Sequence, residues 1–128
     1  MLDLGDALEA MAHEVVDAGF QVHRELGPGL LERVYESALV YELTTKGFKV
    51  DRQVLVPLCY KGVLLEDPLR LDLLVEGSII LEVKAVDTIL PLHKAQLLSY
   101  LKLSGLRLGF LMNFNVPIFK TGLHRLVR

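Results

Sequence analysis

The 128-residue sequence has no tryptophan, a single cysteine, five prolines and no apolar run long enough to span a membrane, and each scarcity removes a class of protein. The lone Cys59 excludes an internal disulfide, a cysteine-based zinc site and a four-cysteine iron–sulfur cluster. It is expected to be a small buried hydrophobe. Residues that are 52% hydrophobic without a run of about 20 apolar positions point to a buried sheet and away from a membrane protein. The N-terminus lacks a basic segment followed by an apolar one, so no secretory signal is read and a cytoplasmic protein is expected. No repeat, linker or low-complexity tract interrupts the chain, and its length suits one domain covering residues 1–128.

Charge is scarce in net terms and uneven along the chain. The net value of −2 argues against a generic nucleic-acid coat protein. Residues 1–83 carry 7 Lys and Arg against 15 Asp and Glu, a balance of −8, whereas residues 84–128 carry 7 against a single Asp, a balance of +6. A basic final third that follows an acidic cluster could supply phosphate contacts.

What the chain does have is one organising stretch, Leu69 to Ala85. Both arms are rich in branched aliphatic residues around a turn-forming Glu76-Gly77-Ser78, which predicts two β-strands in a hairpin. Alternation puts Leu71, Leu73, Val75, Ile79, Leu81 and Val83 on one apolar face and Arg70, Asp72, Leu74, Ile80, Glu82 and Lys84 on the other. A three-residue loop sets Asp72 directly across from Glu82, and a two-residue loop sets them diagonally. Paired carboxylates repel, and solvation, protonation of one acid or a cation between them relieves the repulsion.

Around this hairpin, Leu2 to Leu26 reads as a long helix with Leu8, Met11, Val15 and Ala18 or Val22 inward, ended by Gly27-Pro28-Gly29. A second helix is expected from Leu30 to Lys46, burying Leu31, Val34, Ala38, Val40 and Tyr41. Glu32 falls in its first turn, where the helix dipole would depress its proton affinity, and Tyr35 lies three residues on. Phe48 to Tyr60 reads as a strand, Tyr60-Lys61-Gly62-Val63 as a hairpin turn and Leu64-Leu65 as the start of a short strand. Pro91 to Ser104 reads as a helix closed by Gly105, with Leu97, Leu98 and Leu101 inward and His93, Gln96 and Tyr100 on a different face. Leu106 to Phe114 reads as a central strand, and Ile118-Phe119-Lys120 and Leu123 to Val127 as short terminal strands. His23 is left as a partly buried helix residue outside any metal site.

Two motifs carry a resemblance. Asp72, nine residues, then Glu82-Val83-Lys84 resembles the D…(D/E)xK signature of the PD-(D/E)XK nuclease superfamily. Gly29-Leu30-Leu31-Glu32-Arg33-Val34-Tyr35, preceded by Val22-His23-Arg24-Glu25-Leu26, resembles the GxxExxY family of that superfamily. Gln96-xxx-Tyr100, on the helix after the ExK strand, is similar to the QxxxY arrangement of one subset of these nucleases. The order helix Glu32, strand Asp72, strand Glu82 to Lys84, helix Gln96 and apolar strand is that of the αβββαβ core, and the likeness covers about Val22 to Arg128.

The resemblance implies an α/β protein, α+β by segregation, with a restriction-endonuclease-like core: a mixed central sheet flanked by helices. It implies a nuclease that uses Mg²⁺ or Mn²⁺ to hydrolyse phosphodiester bonds of nucleic acid, DNA before RNA. Asp72, Glu82 and the Val83 carbonyl would hold the metal, with Glu32 completing the shell directly or through water. Lys84 would orient the attacking water, Gln96 would position Lys84 or the phosphate, and Tyr100 would pack or hydrogen-bond beside it. A chain this small would reach both strands of a duplex as a homodimer, and no membrane partner is expected. A different class stays open: a non-catalytic nucleic-acid-binding or protein-interaction module that keeps the acids for a structural ion or a partner.

Overall fold

The computed structural model describes residues 4–128. The first helix, α1, runs Asp6–Leu26. The expected start at Leu2 lies outside the described residues, and within them the helix waits for Asp6 because Gly5 takes a left-handed φ of 86°. Ala12, Val15, Ala18, Gly19 and Val22 are buried at helical spacing. Leu8 and Met11 pack at the margin of the same core. The small residues let α1 sit close to its neighbours: a Cβ on Gly19 would lie 2.7 Å from the Phe119 ring.

Helix α2 spans Glu32–Thr45 and buries Tyr35, Glu36, Leu39 and Leu43. This corrects the expected face. Leu31, Val34 and Tyr41 are exposed, at 64%, 40% and 69%. The buried stripe is the four-residue series Tyr35, Leu39 and Leu43, which packs against α1 and the sheet.

The strands are β1 (Val50–Val56), β2 (Cys59–Tyr60), β3 (Val63–Leu64), β4 (Leu69–Val75), β5 (Ile79–Lys84), β6 (Leu108–Asn113) and β7 (Leu123–Val127). Five of them form one mixed sheet in the order β1-β4-β5-β6-β7, and β2 and β3 pair separately. Among the described residues only β5 and β6 run parallel, as strands joined through a crossover must. The crossover helix is α3, Pro91–Ser104, closed by Gly105 in the left-handed region at φ 76°. Helices cover both faces of the middle of the sheet, which is why every residue from Ile79 to Val83 is buried.

Two cores result. One joins α1 and α2 to Leu73, Val75, Ile79, Leu81, Val83, Phe110 and Met112. The other joins Leu97 and Leu101 of α3 to Leu71, Ile80 and Leu111. Burying each of those two α3 leucines contributes about 1.5–3 kcal/mol, so α3 is held by few but deep contacts. Leu71 therefore packs on the α3 side, opposite to the face that strict alternation assigned it. The alternation breaks between Leu71 and Leu73, where the facing strand carries Gln53 at φ 51°.

Four local expectations are corrected. The segment Phe48 to Tyr60 is two strands, and Cys59 sits exposed on the outlying β2–β3 hairpin where no core reaches it. Residues 118–120 do not form a strand. Phe119–Gly122 is a single helical turn, α4, whose Phe119 is buried against Phe20 and Phe114. Gly122 is required there, because a Cβ would lie 2.1 Å from the Asn113 carbonyl oxygen. The strand β6 is interior, between β5 and β7, while β5 holds the centre.

Candidate active site

The turn Glu76-Gly77-Ser78 has three residues, with Ser78 N–H donating to the Val75 carbonyl at 2.9 Å and Glu76 and Gly77 at φ 52° and 63°. The resulting register pairs Val75 with Ile79, Leu74 with Ile80 and Leu73 with Leu81, which sets Asp72 directly opposite Glu82. The backbone ladder stops at Leu73 and Leu81. Beyond it, side chains take over: Asp72 N–H donates to Glu82 Oε2 at 3.0 Å, and Val83 N–H donates to Asp72 Oδ2 at 2.9 Å. Each carboxylate thus bonds the partner strand and keeps an oxygen for something else.

Glu82 is 5% exposed. Burial, followed by the charge of Asp72, pushes its carboxyl up to about 9, against which Lys84 and the Asp72 N–H work in the opposite direction. Lys84 ends β5 half-buried, and its carbonyl accepts the Phe114 N–H at 3.0 Å, which fixes the strand end.

Glu32 opens α2, and the link from α1 places it. Tyr35, fully buried, stacks on Phe114 with ring centroids 4.6 Å apart. Its hydroxyl donates to the Gly27 carbonyl at 2.6 Å and accepts the Leu30 N–H at 3.1 Å. The tyrosine of the Gly29 to Tyr35 motif is therefore a clasp on the loop that precedes Glu32. The Glu32 carboxyl is near enough to Lys84, Asp72, Glu36 and the Ala85 N–H to feel each of them. Its proton affinity is raised, first by partial desolvation and then by the neighbouring acids. This corrects the sequence expectation, in which the helix dipole lowered it: two nearby carboxylates and desolvation outweigh half a dipole charge.

On α3, Tyr100 is half-buried, and its phenol is pushed up by burial and by the charges of Glu82 and Asp72. It stays a hydrogen-bond donor across the neutral range. Gln96, one turn earlier, is exposed. It makes no direct bond to the acids among the described residues. His93 Nδ1 accepts the Leu90 N–H at 2.9 Å and is a helix cap. His23 is held by the Val116 carbonyl at 2.7 Å, away from the acids.

Three polar residues near the acids were not singled out from sequence. Glu36 is 6% exposed and accepts Arg52 Nε at 3.3 Å and Gln53 Nε2 at 3.2 Å on each of its oxygens. Its place one turn after Glu32 was the available signal. Gln53 has no sequence mark of its left-handed backbone. Asn113, 2% exposed, receives the Val86 N–H at 3.0 Å and donates to the Val86 carbonyl at 2.8 Å, so its amide continues the sheet and holds the chain just after Lys84. Glu32, Glu36, Gln53, Arg70 and Asp72 line one groove of about 560 Å³.

The donor set fits a hard divalent cation. Asp72, half-buried, and Glu82, buried, set carboxylate oxygens side by side, and a cation between them would offset their mutual repulsion. Among the described residues no three Asp, Glu, His or Cys side chains are grouped tightly enough to cage a metal alone. No described helix is long and apolar enough to cross a membrane.

Comparison with curated proteins and with solved structures finds no match. The family model of the PD-(D/E)XK nuclease superfamily matches residues 9–126, from α1 through β7 and across every acid just described. With that match over nearly the whole chain, and with Asp72 and Glu82-Val83-Lys84 side by side on adjacent strands, the chain belongs to the PD-(D/E)XK nuclease superfamily.

Proposed function

We propose that this chain is a metal-dependent nuclease of GxxExxY type, one domain over residues 1–128, that hydrolyses phosphodiester bonds of nucleic acid, with DNA the first substrate to test. The observation that carries the reading is the acid pair: Asp72 and Glu82 face each other across adjacent strands, bonded through the strand amides, with Lys84 two residues along. Asp72, Glu82 and the Val83 carbonyl would hold Mg²⁺ or Mn²⁺, and Glu32 would complete the shell directly or through water. The bound cation would offset the charge that builds on the phosphate and lower the pKa of a water beside it.

The remaining steps belong to the chain. Lys84 has donors and no acceptor, so its ammonium orients the attacking water and stabilises negative charge developing on it without taking its proton. Tyr100, whose phenol is pushed up by burial and then by the same acids, would pack or hydrogen-bond beside it. Gln96 reaches Lys84 or the scissile phosphate once substrate is bound. The basic final third of the chain supplies phosphate contacts, and a homodimer would bring two such sites to the two strands of a duplex. The test is incubation of the purified protein with mixed DNA and RNA, with and without Mn²⁺, beside Lys84→Ala. Cleavage that needs both Mn²⁺ and Lys84 supports the reading, and equal cleavage by both proteins removes it.

A further inference from the structure

We propose that Glu36 and Gln53 form a positioning clamp that turns Asp72 toward Glu82. The inference rests on the reading of Asp72 and Glu82 as the working acids. Among the described residues three non-glycine ones have a left-handed φ, and two of them, Lys61 and Glu76, sit in hairpin turns, where that conformation is ordinary. Gln53 is different: it lies within β1, at φ 51°. Glutamine has no intrinsic preference for that region, so something outside the backbone holds it there.

Glu36 is what holds it. Both Glu36 oxygens accept the Gln53 amide, and one also accepts Arg52 Nε. The carboxylate is buried at the foot of the groove on a helix fixed by the core residues Tyr35, Leu39 and Leu43, so it is a rigid anchor. The partner of Gln53 across the β1–β4 ladder is Asp72, since Arg52 pairs with Leu73 and Val54 with Leu71. At this pair the sheet exchanges faces. Before it, Val50, Leu73 and Val75 pack under α1 and α2, and beyond it Val54, Val56 and Leu71 pack under α3. The half-turn in the pleat is where Asp72 leaves the ladder with β5 and bonds Glu82 and the Val83 N–H through side chains. Without the anchor, β1 would relax to an extended strand, and Asp72 would return to ordinary alternation.

Glu36 and Gln53 are thus positioning residues, acting on the site through the backbone of Asp72. A plain structural role, neutralising Arg52, makes a different forecast. The Val83 N–H reports on the clamp, because Asp72 Oδ2 is its acceptor, and its exchange with solvent is measurable by NMR on metal-free, substrate-free protein. In Gln53→Ala, where the side chain removed is itself exposed, Val83 exchange is expected to accelerate at least tenfold while Phe110, on β6, stays within threefold. Calorimetry should show Mn²⁺ binding weakened at least tenfold. Glu36→Ala should match Gln53→Ala on both readouts, and Glu36→Gln, which keeps an acceptor for the Gln53 amide, should hold Val83 within threefold of the unaltered protein. Folded Gln53→Ala with unchanged Val83 exchange overturns the clamp, as does Glu36→Gln behaving like Glu36→Ala. If the unaltered protein takes up no Mn²⁺, the metal reading of the acids fails, and Val83 exchange still decides the clamp.

Discussion

Asp72 and Glu82 are tied by more than proximity: Glu82 Oε2 accepts the Asp72 N–H, and Asp72 Oδ2 accepts the N–H of Val83, the residue next to Glu82. The arrangement replaces ladder hydrogen bonds with side-chain ones, so the acids cannot swing away from each other without leaving buried amides unpaired. The half-buried Asp72 is thereby kept against the buried Glu82, and burial together with the Asp72 charge holds the Glu82 carboxyl well above its usual range. That tension has measurable consequences for stability, for metal binding and for chemistry.

The first is pH dependence. Glu82 has a folded value near 9 against 4.5 for the free side chain. A carboxyl raised on folding favours the native state fully below its unfolded value, and that contribution is lost as pH climbs toward the folded value. Metal-free protein should therefore lose stability steadily from about pH 5 to pH 9, with a slope of at most about 1.4 kcal/mol per pH unit for one proton. Glu32, raised in the same direction, adds to the trend. His124, whose pKa is lowered by burial and then by Lys94, works against it near pH 6. Denaturant melts of Glu82→Gln beside the unaltered protein isolate the acid pair, since the variant should show a much flatter profile above pH 5. Parallel profiles would mean that Glu82 is not the group under tension.

The second is a response to divalent ions. A ligand that binds only the folded state adds about 2.7 kcal/mol at a hundredfold excess over its dissociation constant. Thermal melts in Mn²⁺ should shift upward at neutral pH, and Asp72→Asn should lose the shift. An identical upward shift in both proteins would place the ion elsewhere.

Much of this was legible in the sequence, for reasons that can be named. The β4–β5 hairpin was readable because alternation, a single turn cluster and the Asp72 to Lys84 spacing agree, and helix α3 because Pro91 and Gly105 bracket it. Failures occurred where a local pattern was ambiguous or a distant contact decided the outcome. On α2, Leu31, Val34 and Tyr41 formed as plausible an apolar stripe as Tyr35, Leu39 and Leu43, and the docking of α1 chose between them. Phe119–Gly122 turns helical because Gly122 meets the Asn113 carbonyl from β6, a contact that no neighbouring residue announces. Leu71 changed cores because Gln53 adopts a backbone that its residue type does not favour. In the site, residue type and spacing marked the acids, but the Glu36 anchor depends on two strands meeting one helix.

The third prediction concerns the clasp before Glu32. Tyr35→Phe keeps the stack on Phe114 and removes the hydroxyl that bridges Gly27 and Leu30. Leaving those two backbone groups without their partner should cost about 1–3 kcal/mol. Urea melts should show this as a lower midpoint at unchanged slope. A loss below about 0.5 kcal/mol would mean that water replaces the hydroxyl and that the clasp does not set the loop.

The last and most exposed prediction is Lys84→Ala. Lys84 shares the strand with Glu82 at a two-residue spacing, and its charge lowers the proton affinity of both Glu82 and Glu32, so its ammonium lies within electrostatic reach of the site. Its side chain is half-buried at a strand end, and the strand itself is secured by backbone bonds that alanine also makes, including the one from Phe114 N–H. With Mn²⁺ present, stability should therefore change by no more than about 0.5 kcal/mol. Without metal the variant should be less stable at neutral pH, because Lys84 is the cation that offsets the acid pair. A group that acts on the attacking water contributes to the transition state and not to the ground state, so turnover should fall by at least about a hundredfold while nucleic-acid binding in Mn²⁺ is retained. Single-turnover cleavage and a binding titration on the same preparation separate the two effects. Loss of binding in step with cleavage would make Lys84 a phosphate contact, and retained cleavage would place the chemistry outside this acid pair.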